Sequence, residues 1–151
     1  MLGPVMTNTD HSGLRKIYVC SPLRGADSEA TTISADTAYM NQQAAREYCR
    51  YVVKNYPRCI PIAPHIYLTQ FLDDDNRDDR KLALDIDRLL IGDCDELWVF
   101  GVVVSDGMTA EISEAARVGI PIRWFTRDCV ERCTQPESHM VQRSEEARND
   151  G

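Results

Sequence analysis

The chain holds 151 residues, 43% of them hydrophobic, and carries a formal net charge of -7 with a pI near 4.9. That length suits one domain with a substantial core. The acidity argues against a nucleic-acid groove or an anionic membrane surface, which need clustered Lys and Arg; small molecules or other proteins remain as partners, including an anion held by one or two Arg residues and backbone N–H groups.

Residues 1–15 are polar, broken by Gly and Pro, and lack the charged start and long apolar run of a secretory signal. They read as a flexible N-terminal segment, followed by one domain over 16–128 and a charged C-terminal tail over 129–151. KIYVC (16–20) reads as a first strand. From 35 to 55, Tyr39, Met40, Ala44, Tyr48 and Val52 recur at helical spacing, with Ser34 or Asp36 as cap. CIPIA (59–63) is a second strand, and a helix over 80–91 follows with Leu82, Ile86, Leu89 and Leu90 as its buried stripe. ELWVF (96–100) is a third strand. The helix over 109–118 lines one face with Ile112, Ala115 and Ala116, ends at Gly119 in the preferred C-cap position, and leads to a last strand in IPIRWF (120–125). This order predicts an α/β fold, a Rossmann-like, single-domain parallel sheet with helices on both faces. Ligands of such sheets bind outside the carboxyl ends of the strands.

The six cysteines, Cys20, Cys49, Cys59, Cys94, Cys129 and Cys133, form an even count that raises a disulfide framework. Cys20, Cys59 and Cys94 lie in or beside apolar strand-like runs, where a free thiol behaves as a small buried hydrophobe, so the thiols are read as reduced and the protein as cytoplasmic. Cys129 and Cys133 would suit a metal only with further ligands, and no second Cys or His pair has compatible spacing, so no metal is expected. No stretch approaches the ~20 apolar residues of a membrane span.

Three strand exits hold the residues that could carry chemistry. After the first strand, Ser21, Arg24 and Gly25 would make a small phosphate cradle or, equally simply, an ordinary turn with a solvated Arg. After the second, His65 either faces a ligand or pins its own loop. The stretch from Ile66 to Asp79, with five aspartates, reads as a long loop. On the helix beyond it, Asp85 and Asp87 point in different directions, and the pattern alone does not choose between them. After the third strand comes SDGMTAE: Gly107 turns, Thr109 caps, and Glu111 falls in the first helical turn. There the helix dipole favours an ionised carboxylate, ready either as a nucleophile or as half of a capping box.

Together, IYVC–SPLRG, the segment from Asp87 through LLIGDCDELWVF with an Asp (Asp95) opening the strand, and GMTAE resemble the nucleoside 2-deoxyribosyltransferase superfamily. The likeness is to its 2'-deoxynucleoside 5'-monophosphate N-glycosidase branch and to small bacterial and bacteriophage proteins near it. It runs from about Lys16 to Phe125. The resemblance implies hydrolysis or transfer at the N-glycosidic bond of a nucleotide, with neither metal nor organic cofactor. Glu111 would attack C1', Asp87 would assist the departing base, and Tyr18 would orient the nucleophile. Ser21, Arg24 and Gly25 would hold the 5'-phosphate, with His65, Gly107 and Met108 also at the substrate. Ser105 stands where nucleoside enzymes of the superfamily carry an aspartate, and its hydroxyl favours a phosphate. A homodimer or larger oligomer is likewise implied. The other reading is a binding module that senses or sequesters a nucleotide or an ADP-ribose-like signal.

Overall fold

In a computed structural model of the chain, the structure describes residues 13–23, 35–101 and 103–133. A five-stranded sheet has the order β2-β1-β3-β4-β5. Its strands are β1 (Arg15–Cys20), β2 (Cys59–Ile62), β3 (Glu96–Phe100), β4 (Ile122–Phe125) and β5 (Glu131–Arg132). The first four run parallel, and β5 pairs antiparallel with β4. The helices are α1 (Ala35–Asn55), α2 (Pro64–Tyr67), α3 (Arg77–Gly92) and α4 (Asp106–Val118), with a 3-10 turn at Leu68–Gln70. The chain is therefore an α/β protein with a mostly parallel sheet. The short β5 falls inside the stretch read as tail.

Period-two alternation along β1 and β3 divides the core into two layers. Ile17, Val19, Trp98, Phe100 and Phe125 point to one face and meet Tyr48 and Val52 of α1. Here Tyr48 stacks on Phe100 at 4.5 Å between centroids, and Phe100 on Phe125 at 4.9 Å. Tyr18, Cys20, Leu97 and Val99 point to the other face and meet Ile91 of α3 with Met108 and Ala115 of α4. Asp95 ties β3 to β1 through the Lys16 backbone, its carboxylate accepting from the Lys16 N–H at 2.7 Å and its own N–H donating to the Lys16 carbonyl at 2.8 Å. At the sheet's two edges stand β2, which contains Pro61, and β5, whose Glu131 accepts two bonds from Arg123 at 2.7 and 2.6 Å. The Arg123 guanidinium also lies 4.6 Å from the Trp98 ring.

Four expectations change. The buried stripe of α3 is rotated: Leu82 is 50% and Leu89 76% exposed, Ile86 and Leu90 are only partly buried, and Ile91 is the fully buried residue. Tyr39 and Met40 of α1 are each 65% exposed, so that helix buries only its later turns. Residues 66–79 are not one long loop, since α2, the 3-10 turn and the first turn of α3 occupy most of them. Asn76 starts α3, its Oδ1 accepting from the N–H groups of Asp78 and Asp79 at 3.0 Å. Finally, α4 begins at Asp106, three residues before the expected start, because Ser105 rather than Thr109 caps it. Its Oγ accepts from the Met108 N–H at 3.3 Å. The C-terminus is as expected, with Gly119 at φ +83, a left-handed cap that an L side chain would strain.

Candidate active site

One cavity opens at the carboxyl ends of β1 and β3, bounded by α2, α3 and α4, with a volume of about 90 Å³. Just beyond β1 comes Ser21, buried, whose Oγ lies 3.0 Å from His65 Nε2 of α2. The 3-10 turn and the bend after it supply Leu68, Thr69, Leu72 and Asp74. Along α3, Arg80, Ala83, Leu84 and Asp87 follow at helical spacing and face inward, while Asp85 is exposed. Opposite them, α4 presents Ser105, Asp106, Gly107, Met108 and Glu111. Leu23, Leu68, Leu72 and Leu84 give the cavity apolar wall among polar groups, and the carboxyls of Asp87 on α3 and Glu111 on α4 both line it.

Those carboxyls are perturbed together. Burial raises Glu111 to about 8, with repulsion from Asp87 adding to it, while hydrogen bonding with Tyr18 and Cys20 works the other way. Asp87 rises to about 6, again chiefly through burial, offset by hydrogen bonding with Tyr18 and reinforced by Asp74. Glu111 is partly buried and lines the cavity. Asp87 Oδ1 is buried and has no hydrogen-bond partner in the protein, a costly state unless a ligand supplies a donor or the carboxyl takes a proton. Tyr18, buried on β1, interacts with both acids and is itself raised well above the ordinary tyrosine value by burial and then by Glu111 and Asp87. It stays a neutral donor throughout the accessible range.

The sequence-derived site residues fall into three groups. Asp87 and Glu111 line the cavity with Tyr18 interacting with both from the core, and Ser21, His65, Ser105, Gly107 and Met108 line the same cavity. Arg24 and Gly25 lie outside the described residues. The placing of Glu111 in the first turn of its helix is corrected: with Ser105 as the cap it sits in the second turn, beyond reach of a capping box. The ionised form expected from the helix dipole is corrected as well, since burial and the Asp87 charge outweigh an effect confined to the first turn. His65 is pushed down to about 4 by burial and is a neutral imidazole near pH 7, so it offers a hydrogen bond but no charge. Cys20 was missed, although it stands two residues from Tyr18 on the same strand and so shares its face. Among the described residues no group of three metal-ligating side chains occurs, and all six cysteines are free.

A family described as a domain of unknown function, DUF7768, matches residues 15–125. The chain belongs to the DUF7768 family. The matched span runs from the first residue of β1 to the last of β4, so it takes in every described element that bounds the cavity. No curated protein matches the chain. No helix among the described residues is long and apolar enough to cross a membrane.

Proposed function

We propose that this DUF7768 protein is an enzyme that cleaves or exchanges the N-glycosidic bond of a nucleotide, best represented by a 2'-deoxynucleoside 5'-monophosphate. Its fold on this reading is the Rossmann-like one of the nucleoside 2-deoxyribosyltransferases. The observation that carries the proposal is the pairing of Glu111 and Asp87 in one partly apolar cavity with Tyr18 interacting with both. Two carboxyls in a shared site resist simultaneous ionisation, so near neutral pH the pair holds about one proton, the state an acid-plus-nucleophile mechanism needs. In the protein alone that proton favours Glu111, the carboxyl with the higher value. A base whose ring nitrogen or carbonyl accepts a hydrogen bond from Asp87 stabilises the neutral form there, and positive charge developing at C1' stabilises the anion at Glu111. Glu111 then attacks C1', the C1'–N bond breaks with its electron pair going to the base, and Asp87 gives that base its proton. Water or a second base resolves the glycosyl ester, its proton returning to Asp87. The apolar side chains of Leu68, Leu72 and Leu84 suit a flat heterocycle, and the Ser105 hydroxyl, used by the helix only as an acceptor, keeps its proton for a phosphate oxygen. Such a protein would work in the cytoplasm as a homo-oligomer without a cofactor.

Chromatography of free base released from a panel of nucleosides, nucleotides and ADP-ribose compounds tests this. Release should be greatest with monophosphates and abolished in Glu111→Gln with the fold intact; full activity in that variant sinks the mechanism. A second reading, a non-catalytic module that senses or sequesters a nucleotide, draws on the raised value of Glu111, since a neutral carboxyl is a hydrogen-bonding group rather than a nucleophile. No release from any compound, together with a ligand-induced rise in melting temperature, would select it.

A further inference from the structure

We propose that Arg80 sets the preference of the cavity for a phosphate monoester, its guanidinium gripping the phosphate at the rim while the rest of the ligand reaches down to the carboxyls. The inference rests on the reading of this cavity as a nucleotide site. It follows from how two helices are laid. The strands β1 to β4 are parallel, so α3 and α4, which return the chain to β3 and β4, both run back from the carboxyl ends of the strands. They lie side by side on one face of the sheet, where Ile91 of α3 shares a core layer with Met108 and Ala115 of α4. Levels along the two helices therefore match. Arg80 stands in the first turn of α3 and Ser105 caps the first turn of α4, whereas Asp87 and Glu111 each follow about two turns later. All four line the same cavity, with Ala83, Leu84 and Met108 at the positions between. Rim and carboxyls are thus separated by roughly 10 Å of helix. Helical side chains lean toward the N-terminus, which shortens that gap to the scale of one sugar phosphate.

Charge singles out the same residue. Arg80 is partly buried and is the one positively charged side chain among the described residues that line the cavity, His65 being neutral. The ion pairs among the described residues join Arg15 to Glu96, Lys16 to Asp93, Arg117 to Glu114 and Arg123 to Glu131, and leave Arg80 out. The other charged groups toward the rim are acids: Asp74, Asp79 and Asp106 line the cavity too, with the Asp79 carboxylate accepting from the Asp73 N–H at 2.9 Å. Carboxylates alone would repel a phosphate, so a cavity that takes a nucleotide needs a cation at this level. A guanidinium suits the task better than an ammonium, since its planar fork gives two parallel donors to phosphate oxygens. Ser105 adds a neutral donor from the facing helix. Deeper down, Asp87 and Glu111 repel the phosphate, which fixes the orientation of the ligand with its phosphate outermost.

Calorimetric titration of the full chain with 2'-deoxynucleosides and their 5'-monophosphates, base for base, tests this, in a Glu111→Gln background so that no bond is cut. The monophosphate should bind more tightly than its nucleoside. Adding Arg80→Gln should reduce that preference about 10- to 100-fold, the range of a hydrogen bond to a charged group. Arg80→Lys, which keeps the charge without the fork, should fall between; a lysine variant worse than the glutamine one would overturn the proposal. A preference that survives Arg80→Gln, an equal loss on nucleoside and monophosphate, or binding of neither compound overturns it too. With Glu111 restored, chromatography of released base separates this role from the activity. Base release with a monophosphate preference that Arg80→Gln leaves in place would keep the activity and remove the role of Arg80. A binding preference lost in Arg80→Gln, in a protein that releases no base, would do the reverse.

Discussion

Replacing Glu111 by Gln should stabilise the protein, and more so in alkali than in acid. An acid whose folded value is raised binds more protons than the unfolded chain, so its stability contribution is full below the ordinary value and is lost as pH climbs through the raised one. For Glu111 that window runs from 4.5 to about 8. At about 1.4 kcal/mol per unit, the shift caps the loss between about pH 5 and about pH 8 at roughly 3.5 kcal/mol. Solvent reaching the carboxyl through the cavity screens it, and about half, ~1.5 kcal/mol, is the expected effect. The neutral, nearly isosteric amide keeps the packing and also relieves Asp87 of a like charge. Melting curves of both proteins followed by circular dichroism should coincide closely at about pH 5 and separate by ~3–6 °C at about pH 8, with the variant the more stable. A difference that is constant with pH, or a variant less stable in alkali, would refute the account of Glu111 as a buried carboxyl strained by its surroundings.

Three further outcomes follow from the same geometry. Tyr18→Phe removes a donor from both carboxyls and should slow base release about 10- to 100-fold, read as kcat/KM by chromatography, with little change in substrate affinity. His65, assigned by comparison with His65→Asn, should show no proton NMR titration between about pH 5 and pH 8, whereas an ordinary histidine is half-protonated at ~6.5. Ser105→Ala removes the cap of α4 and should cost about 1 kcal/mol, a fall of ~2–4 °C in Tm, even with no ligand present; an unchanged Tm would mean the cap bond contributes nothing.

The strands β1 to β4 and the full extent of α1 are legible in the sequence because short apolar runs and a long amphipathic one leave little choice of period. Local chemistry was harder to place. In VSDGMT both Ser105 and Thr109 are good caps, and only the packing of Met108 against the sheet selects the earlier one, which moves Glu111 by nearly a turn. The α3 stripe differs from its hydrophobic pattern because part of that helix borders a cavity instead of core: Arg80, Leu84 and Asp87 face inward, and Leu82 and Leu89, the stronger hydrophobic signal, are left outside. The choice of Asp87 over Asp85 needs that rotation. The raised value of Glu111 needs tertiary burial, which no spacing in the sequence reveals.

The two margins of the sheet bear on how the protein behaves in concentrated solution. An exposed strand edge is a template onto which another chain can add, and from there assemblies grow without limit. Here Pro61 withholds an N–H from one margin, and a two-residue strand of opposite charges, Glu131 and Arg132, occupies the other. Neither offers a continuous row of hydrogen-bonding groups. A sheet built on parallel strands, slow to assemble because its pairings are distant in sequence, thereby reaches its folded form with few openings for edge-to-edge aggregation.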